Sequence, residues 1–574
     1  MFDFIPGDFL TTLTLLPLLG AVVVFALPGK NAQLARWLAL GISLVVLVMA
    51  IVVFVNVAGD PPGPDEWAYE YQTEWFPQLN ASWHVGVDGL SATMVLLTGL
   101  LVPLAILISF EVTDRVPQHM ALFLFLETGM LGVFVALDMV IFFLFWELGL
   151  VPMYFLIFLW GGENRRYAAN KFFLYTMAGS LGLLLATQLI GLSVGSFDIP
   201  VMLREWPIFT GEANTILGVN VDVAKYYALL GFTIAFLIKI PAWPFHTWLP
   251  DAHTEAPTGG SMLLAGVLLK LGAYGFLRLA IPLFPREWVV QRTLFSLDYN
   301  LASILGFLAV LGIILGALAA WGQEDFKRLV AYSSVNHMGF VVLGLAVAAL
   351  MYGNIWARSN NDWVLHANAA GIELSEAELR SQSLAREKVN TLYADDRFEA
   401  DRHEAVIALN GAVLQMFNHG LSSAGMFLLV GALYHKTHTR DLRRYGGLWD
   451  IVPVFGALLI FVSMASLGLP GLNGFVGEYL VVAGSVEFFM PYVLLSMLGL
   501  LVTGIYILKA IQKVLHGPYN TEWAEYDRTQ QRLEIAPREV LALAPLVVLM
   551  LVIGLYPRLI LDVINDGVLR FLGG

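Results

Sequence analysis

Long apolar stretches with few charged residues recur along the whole chain. Each is about 20 residues or longer, the length at which an α-helix crosses ~30 Å of hydrocarbon. A lipid-exposed backbone has to satisfy its own hydrogen bonds, and the stretches are too long for barrel strands, so each is expected to be helical. The pattern predicts an all-α, polytopic membrane protein with about 14 transmembrane helices. The predicted spans are residues 9–29, 37–59, 89–110, 117–137, 139–162, 172–197, 226–250, 256–283, 299–322, 329–353, 405–434, 451–486, 488–508 and 540–557.

The charged residues between the spans predict the orientation of the chain. Lys and Arg concentrate in the short loops after the first, fifth, ninth and eleventh spans, whereas residues 56–88 contain several acids and no Lys or Arg. Basic short loops face the cytoplasm, so both termini are expected on the outer side. Residues 354–404 are too charged to cross and are expected to form a polar extramembrane insert in a single transmembrane domain.

Four ionisable residues lie within otherwise apolar spans: Glu147, Lys239, Lys270 and Glu478. A charge at the centre of a membrane helix costs roughly 2.5–3.5 kcal/mol on insertion scales, so such a residue is a functional-site candidate by default. Taken singly, each could equally be half of a buried structural ion pair. Two acids and two lysines on four spans are harder to explain by packing, because replacing buried pairs with apolar residues usually leaves a fold no less stable. We therefore interpret them as the groups that translocate protons.

Two of these spans are interrupted by residues that break helices. The span with Lys239 contains Pro241 and Pro244, and the span with Glu478 contains Pro470 among several glycines. Proline removes a backbone donor and clashes with the preceding turn. One such span would be an ordinary kink. Two, each beside a buried ionisable group, predict discontinuous helices that line a hydrated site near the membrane midplane.

Three histidines are candidates for a proton relay between these groups: His246, His337 and His419. A lone histidine inside a membrane more often makes a satisfied polar contact, but these spans also carry Ser, Thr and Asn side chains that can hold water. Further acids lie at or near the third and fourth spans, where they either supply Glu147 or cap helices. They are Glu111, Glu127 and Asp138.

Composition narrows the function. Apolar residues make up 58% of the 574 residues and charged residues 13%, about half of the roughly 25% found in soluble domains. With no cysteine, the chain has no disulfide and no thiolate ligand for an iron–sulfur cluster, and we expect no cofactor and no metal in it. The net charge of −13 argues against nucleic acid as a partner.

Five long motifs resemble a known family. They are FWELGLVPMYFLIFLWGG, KIPAWPFHTWLPDAHTEAPTGGSMLLAGVLLKLGAYGF, EDFKRLVAYSSVNHMGF, QMFNHGLSSAGMFLLVGALY and LGLPGLNGFVGEY. They resemble the subunit M (chain 4) type of antiporter-like subunit in bacterial NADH-quinone oxidoreductase, respiratory complex I, and the resemblance covers essentially all of the predicted spans. It implies two inverted five-helix repeats, at about residues 117–283 and 299–508, each with one discontinuous helix. The insert 354–404 departs from the family pattern.

The resemblance also implies roles and partners. Glu147 resembles the acid that pairs with the broken-helix lysine, Lys239 resembles that lysine, and Lys270 resembles the central relay lysine. Glu478 resembles the terminal acid of subunit M, where sibling subunits and antiporters carry lysine. The implied protein is a multi-pass subunit of the bacterial cell membrane that lies among other membrane subunits, including siblings, and moves protons across the lipid bilayer. NADH, FMN, iron–sulfur clusters and quinone are expected in partner subunits.

Movement of the Glu147 carboxylate would explain how proton release is controlled. At an effective dielectric constant of ~20, a unit charge at about 4 Å is worth about 4 kcal/mol, enough to decide whether a lysine holds its proton. We expect Lys239 to keep its proton while Glu147 is near and to release it toward Lys270 when Glu147 turns away. The proton would then pass by way of His337 and water to Glu478.

Other functions remain open on the sequence alone. The same helices could form a subunit of a cation/proton antiporter complex, against which Glu478 argues, or the membrane subunit of an energy-converting hydrogenase. A redox subunit could bind quinone, or haem between His337 and His419. A scaffold could use the buried charges only to hold helices in register.

Overall fold

Helices dominate the fold. The structure is a computed structural model that describes residues 8–211, 214–216, 218–294, 297–393, 395–529 and 532–573. The α-helices of these residues are α1 (Phe9–Phe25), α2 (Ala32–Gly59), α3 (Gly89–Ile108), α4 (Val116–Val135), α5 (Met139–Leu148), α6 (Leu150–Trp160), α7 (Arg165–Val194), α8 (Ile199–Glu205), α9 (Val221–Lys239), α10 (Trp248–Glu255), α11 (Thr258–Leu263), α12 (Leu269–Gly275), α13 (Ile281–Leu283), α14 (Pro285–Val289), α15 (Leu301–Trp321), α16 (Phe326–Ser359), α17 (Trp363–Ala369), α18 (Glu376–Leu379), α19 (Gln382–Leu392), α20 (Asp395–Thr437), α21 (Pro453–Leu467), α22 (Asn473–Ile511), α23 (Thr521–Thr529), α24 (Pro537–Leu555) and α25 (Arg558–Phe571).

Shorter elements connect the helices. Within the described ranges, three π-helical stretches continue or extend membrane helices, at Leu264–Leu268, Phe276–Ala280 and Gln512–His516. The same ranges contain three antiparallel two-stranded hairpins, which lie in the loops. The strands are β1 (Ala68–Phe76) with β2 (Ala81–Val87), β3 (Thr215–Ile216) with β4 (Val219–Asn220), and β5 (Arg292–Leu294) with β6 (Leu297–Tyr299).

The membrane helices agree with the predicted spans. Twelve helical segments of the described chain are long and apolar enough to cross a membrane, and the shorter apolar helices α1 and α21 account for the two remaining predictions. The prediction of an all-α polytopic membrane protein is confirmed. The sequence predicted a break near residue 487 between two spans, but α22 runs through it with a kink at Phe489, where φ is −139° and ψ is 46°.

Both predicted helix breaks are present. Helix α9 ends at Lys239, and the chain resumes as α10 only at Trp248. Helix α21 ends before Gly468, which has φ of +82°, and α22 begins after Gly471, which has φ of +93°. Glycine adopts these left-handed conformations without the steric cost that a side chain brings. Each break therefore follows from local sequence, and each opens a membrane helix next to a buried ionisable residue.

Loops that the sequence predicted on one side of the membrane contact one another. On the side with most of the basic loops, the Phe326 N–H donates to the Arg440 carbonyl at 2.8 Å, and Arg440 Nη1 donates to the Thr254 carbonyl at 2.7 Å. On the opposite side, the Leu137 N–H donates to the His84 carbonyl at 2.9 Å. We call these sides the basic face and the acidic face. Which of them meets the cytoplasm stays a prediction.

Burial divides the membrane helices into an inner and an outer set. The most apolar windows of the segment Thr258–Leu283 and of α20 are buried throughout, whereas those of α2 and α24 are only 33% buried. The outer helices present leucine and valine to lipid or to neighbouring chains. Lys270 and His419 lie on the two innermost segments, so any polar group there is far from lipid and from bulk water.

Residues 354–404 form a helical layer on the acidic face. They contain the last turn of α16, the short helices α17, α18 and α19, and the first turns of α20. Arg358 forms an ion pair with Asp395, which joins the end of α16 to the start of α20. Within the layer, Lys388 Nζ donates to Glu378 Oε2 at 2.9 Å. The segment is therefore continuous with two membrane helices.

The hairpin β1–β2, which was not predicted from the sequence, lies on the acidic face. Its anchor is the buried side chain of His84, whose Nδ1 donates to Asp198 Oδ2 at 2.6 Å and whose Nε2 lies 3.0 Å from Glu70 Oε1. Burial by itself lowers the pKa of His84, but the hydrogen bonds and charges of Asp198 and Glu70 outweigh burial and raise the pKa above 6.5. Asp198 also caps α8, so one carboxylate joins the hairpin to the membrane domain.

The protonated state of His84 is expected to stabilise this hairpin. Because the pKa is raised by folding, the stabilisation is fully present below the unfolded value of 6.5 and is lost as the pH rises through the folded pKa. Hydrogen–deuterium exchange of residues 68–87, corrected for intrinsic rates, should therefore be faster at about pH 9 than at about pH 6. His84→Gln should abolish this difference. Equal protection of the wild-type hairpin at both pH values would contradict the assignment.

Candidate functional site

Lys270 and His419 are in direct contact at the centre of the molecule. Lys270 is fully buried, and its Nζ donates to His419 Nδ1 at 2.8 Å and to the Ala265 carbonyl at 2.5 Å. Ala265 belongs to the π-helical stretch Leu264–Leu268, where the regular α-helical hydrogen-bond ladder is interrupted. Close backbone packing brings the two helices together, because a Cβ at Gly420 would lie only 3.0 Å from the Gly266 carbonyl oxygen. The lysine therefore bonds only to groups without a formal negative charge.

A second contact joins His337 to Glu478. His337 Nδ1 donates to Glu478 Oε1 at 2.7 Å, and both side chains are buried. Gln415 Nε2 donates to the same carboxylate oxygen at 3.0 Å. The Tyr506 hydroxyl lies 3.3 Å from His337 Nε2. This acid is thus held by two donors, and the imidazole beside it has a polar partner on each nitrogen.

The two contacts form one polar row. The rings of His337 and His419 have centroids 5.9 Å apart, so the order along the row is Lys270, His419, His337 and Glu478. The sequence predicted that a proton passes from Lys270 by way of His337, whereas the structure places His419 between these two residues. Four of the seven predicted site residues therefore meet in one chain of contacts that crosses from α12 through α20 and α16 to α22.

Glu147 and Lys239 form a separate group. Lys239 is buried at the C-terminal end of α9, and its Nζ lies 4.8 Å from the centroid of the Trp146 ring. Trp146 is fixed by a hydrogen bond from its Nε1 to Ser180 Oγ at 3.0 Å. Glu147 Oε1 is buried and has no hydrogen-bond partner, and within the described residues no ion pair joins it to Lys239. The two side chains therefore do not touch in this structure.

His246 and the three additional acids occupy different surroundings. His246 is half-buried in the break after α9, where its ring packs against Tyr332 with centroids 6.1 Å apart and its Nδ1 has no partner. Glu127 is completely buried, and neither carboxyl oxygen has a hydrogen-bond partner. Asp138 caps α5 by accepting from the backbone of residues 140 and 141. Glu111 pairs with Arg538 at the basic face.

Sequence reasoning missed two residues that extend the row. His253 in α10 is fully buried, stacks on Phe427 with centroids 4.3 Å apart, and has no partner on either ring nitrogen. It lies within electrostatic reach of both Lys270 and Lys327. Lys327 is one of the basic residues in the short loop after the ninth predicted span, yet its ammonium group is buried and donates to the Ala256 carbonyl at 2.7 Å.

Sequence spacing contained signals for some of these contacts. Gln415 precedes His419 by four residues, which places both side chains on one face of α20. His253 follows His246 by seven residues, or two helical turns, but the helix begins only at Trp248, so the spacing is not informative there. Lys327 stands at the very start of a span, where a basic residue normally reaches solvent.

Two reciprocal side-chain-to-backbone hydrogen bonds join the second helix break to the polar row. The Asn418 side chain donates to the Asn473 carbonyl at 2.7 Å, and the Asn473 side chain donates to the Asn418 carbonyl at 3.2 Å. Asn418 directly precedes His419, and Asn473 begins the helix that carries Glu478. This reciprocal pair therefore sets the position of Glu478 relative to His419.

The arrangement can be compared with known proteins. The family described as NADH:quinone oxidoreductase/Mrp antiporter, transmembrane, matches residues 136–371 and 403–505, which is more than half of the chain. The chain belongs to this family. The unmatched residues between the two matched regions lie inside the insert 354–404. The residues that match the family include both helix breaks and the polar row, but not the middle of the helical layer on the acidic face.

Relatives within the family are similar over nearly their full lengths. The chain is 35% identical to NADH-quinone oxidoreductase subunit M of Pseudomonas aeruginosa, over 96% of this chain and 95% of that protein. It is 36% identical to an NAD(P)H-quinone oxidoreductase chain 4 of Nostoc sp., over 98% of this chain and 90% of that protein. A chain of respiratory complex I from Thermus thermophilus with bound NADH superposes with a TM-score of 0.74 at 27% identity, covering 98% of this chain and all of that one. The predicted family, an antiporter-like membrane subunit of the complex I type, is confirmed.

The row supplies the chemistry expected of a proton path in this family. Lysine, histidine and carboxylate each accept and release a proton, and adjacent members lie within hydrogen-bond distance or in ring contact. Among the described residues, no group of three or more His, Asp and Glu side chains is placed to hold a metal ion. His337 and His419, considered above as haem ligands, instead turn their Nδ1 atoms to Glu478 and Lys270.

The reciprocal pair at the second break yields a test of the geometry. Asn473→Ala removes one hydrogen bond and leaves the buried Asn418 carbonyl without its donor. We expect the free energy of unfolding to fall by about 1–3 kcal/mol, measured as a lower thermal midpoint of the purified complex in detergent. Asn31→Ala is a matched control, because the Asn31 side chain caps no helix. An unchanged midpoint for Asn473→Ala would show that the pair does not hold the break.

Proposed function

We propose that the chain is the proton-translocating subunit M of a bacterial NADH-quinone oxidoreductase. The observation that carries this proposal is the continuous row from Lys270 through His419 and His337 to Glu478, buried in the innermost helices. Burying ionisable groups in a membrane protein is costly, and such groups usually pair with one another or belong to a functional site. The terminal position is a carboxylate, and relatives that are 35% and 36% identical carry subunit M and chain 4 names. Both facts favour subunit M over an antiporter subunit.

Proton uptake is proposed at the basic face. A cavity of about 290 Å³ lies there between the ends of several membrane helices, and Lys327 lines it together with Glu255 and Arg440. From Lys327 the next titratable group inward is His253, which also senses the charge of Lys270. A proton taken from this cavity would pass from Lys327 to His253, and then to Lys270 at the start of the row. Water between these side chains would supply the missing contacts.

Release follows the row toward Glu478. The Lys270 ammonium hands a proton to His419 Nδ1, and His337 passes one to Glu478 across the 2.7 Å hydrogen bond. A histidine ring accepts at one nitrogen and donates from the other. His419 Nε2 has no hydrogen-bond partner among the described residues, so a water molecule between the two rings would carry the proton from His419 to His337. Gln415 holds the Glu478 carboxylate toward His337. The acid therefore ends the path in the helix that follows the second break.

Glu147 and Lys239 are proposed as the switch. In the structure Lys239 rests against Trp146, and Glu147 does not contact it. A carboxylate that approached to ~4 Å would stabilise the ammonium by about 4 kcal/mol at an effective dielectric constant of ~20. Movement of Glu147 toward or away from Lys239 would thus decide whether the lysine keeps its proton, and a change of charge at Lys239 would be felt by the row across the α9–α12 contact.

The energy for pumping is proposed to come from partner subunits. Relatives are named as subunits of NADH-quinone oxidoreductase, and we infer that NADH, FMN, iron–sulfur clusters and quinone bind there and that this chain carries no redox centre. Neighbouring membrane subunits, including sibling antiporter-like chains, would meet the outer helices. The basic face is proposed to meet the cytoplasm and the acidic face, with both termini, the outer side of the bacterial cell membrane.

Removal of the central lysine tests the row. Lys270→Ala should lower NADH-driven proton translocation in inverted membrane vesicles at least about tenfold, because the row loses the group that passes the proton to His419. NADH oxidation by a soluble artificial acceptor should stay unchanged, and copurification of the variant chain with the redox subunits shows that the complex has assembled. Lys513→Ala, which removes a lysine outside the row, is the control. Normal pumping per electron in Lys270→Ala would refute the proposed path.

Conservative exchanges test the switch separately. Glu147→Gln keeps the size of the side chain but cannot carry the switching charge. Lys239→Arg keeps the positive charge but cannot release its proton. Both should lower pumping at least about tenfold, whereas a packing role would tolerate them. Pumping at wild-type rates in both variants would remove Glu147 and Lys239 from the mechanism.

The uptake route makes a prediction of its own. Lys327→Arg preserves the buried charge but holds its proton permanently, so proton uptake should slow while the fold remains intact. Vesicle pumping is expected to fall by about tenfold or more, with Lys30→Arg as an exposed control on the same face. If Lys327→Arg pumps like Lys30→Arg, protons reach Lys270 by another way.

A further inference from the structure

A second polar site lies on the acidic face, away from the row. It is a cavity of about 470 Å³ that lies between the loop joining α2 to β1, the N-terminal end of α3, helix α8 and helix α25. Three arginines line it: Arg204, Arg278 and Arg570. The wall also contains apolar side chains, among them Leu90 and Phe571. We call it the arginine cavity.

Two of the charges in the arginine cavity satisfy each other. Arg278 Nη2 donates to Asp88 Oδ2 at 2.7 Å, and both side chains are buried. Asp88 also accepts from the Ser91 N–H at 3.0 Å as the cap of α3. Burial by itself raises the pKa of Asp88, but the charge of Arg278 and the Ser91 hydrogen bond outweigh burial and hold the pKa below its usual value. The only buried carboxylate of the cavity lining is therefore already neutralised.

Within the described residues, no carboxylate lies within ion-pair distance of Arg570. Its Nη1 is buried without a hydrogen bond, and its contact with the chain is the Trp67 ring, 4.4 Å from the guanidinium carbon. The same ring lies 4.6 Å from the guanidinium carbon of Arg278. Burial and the nearby charge of Arg278 lower the pKa of Arg570 against the opposing charges of Asp88 and Asp65. An arginine does not lose its proton in proteins, so it is expected to take up an anion instead.

The remaining charged residues of the arginine cavity leave room for that anion. Arg204 is exposed, and no hydrogen bond or ion pair joins it to another part of the described chain. Asp65 is exposed at the mouth. Counting the paired Arg278 and Asp88 as neutral, the lining holds two guanidinium groups and the one solvated carboxylate of Asp65. The neighbouring Glu66, which is exposed and outside the lining, also acts on Arg570 through its charge. A buried donor without a partner is costly, and a planar guanidinium matches the oxygens of a phosphate.

The position of α25 indicates which phosphate is available. The helix follows the membrane helix α24 directly and is amphipathic, with Ile560, Val563 and Ile564 buried. At the turn between the two helices, Tyr556 is 59% exposed, as is typical of aromatic residues at a membrane interface. The buried apolar face of α25 packs against α3 and α20. At its end, Arg402 Nε in the first turns of α20 donates to the Leu572 carbonyl at 3.0 Å, which places α25 at the acidic face, where lipid headgroups are expected. Arg570 is thus presented beside phosphate groups.

We propose that the arginine cavity binds the phosphate group of an anionic phospholipid, with Arg570 and Arg204 as ligands and with Arg278 and Trp67 as the surface that orients Arg570. The apolar wall would contact the glycerol backbone and the first part of the acyl chains. Such a lipid would tie α25 to the N-terminal end of α3 and to α8. The site is independent of the proton path, since no residue is shared between them.

The test uses the purified complex that contains the full chain. Delipidated complex is titrated with phosphatidylglycerol or with phosphatidylcholine in mixed micelles, and retained lipid is counted by native mass spectrometry. The wild type should retain at least one phosphatidylglycerol per chain that Arg570→Gln loses, with affinity lowered by about tenfold or more. Arg558→Gln on the same helix is the matched control, because Arg558 is exposed and outside the cavity.

Inorganic phosphate distinguishes the source of the anion. If added phosphate displaces the retained lipid, the cavity recognises a phosphate group from either source. If the lipid stays bound, the cavity needs the acyl-linked headgroup. Should Arg570→Gln fail to assemble, Arg204→Gln is used, since that exposed side chain supports no other contact. Equal retention of phosphatidylglycerol in the wild type, both cavity variants and Arg558→Gln, or no retention above phosphatidylcholine, would overturn the proposal.

Discussion

The cost of burying an ammonium group governs this structure. Lys270 is fully buried in the innermost helices and has no carboxylate within ion-pair distance in the described chain; its partners are an imidazole and a backbone carbonyl. Neither partner fixes the proton as a carboxylate would, because both are uncharged. A lysine in such surroundings is poised to share its proton with His419, and the order of the remaining groups follows from that contact.

The helix breaks make this arrangement possible. An unbroken helix satisfies its own backbone and offers only side chains to a membrane interior. By ending α9 at Lys239 and by beginning α22 at Asn473, the chain places ionisable groups at or within two turns of a helix end, where backbone groups are free to bind water. The tight packing of Gly266 against Gly420 then closes the distance between the lysine and the histidine. Local sequence and long-range packing thus act on the same few positions.

The sequence was sufficient for the fold class and for most of the candidate groups. A lysine or acid inside an apolar run is visible without coordinates, which is why Glu147, Lys239, Lys270 and Glu478 could be singled out. The breaks were equally visible, since proline and glycine act locally. The order of the groups in the relay could not be read from the sequence, because it depends on which faces of α16 and α20 meet. His253 was missed for the same reason, and β1–β2 because a long polar loop carries no membrane signal.

The structure also separates two functions that the sequence had joined. The sequence suggested a direct ion pair between Glu147 and Lys239 and a direct step from Lys239 to Lys270. In the structure an aromatic ring lies against Lys239, and the described residues offer no hydrogen bond from Lys239 to Lys270. In the proposed mechanism, the switch acts through charge and the path acts through contacts, and water between α9 and α12 would link these two parts.

A high-resolution cryo-electron microscopy map of the assembled complex in lipid would test the account most directly, through the ordered water that it reveals. The account predicts water molecules between Lys239 and Lys270 and between Lys327 and His253, together with preserved contacts along the row to Glu478. Dry, leucine-packed protein between the two lysines, or ammonium groups that reach bulk solvent, would contradict it.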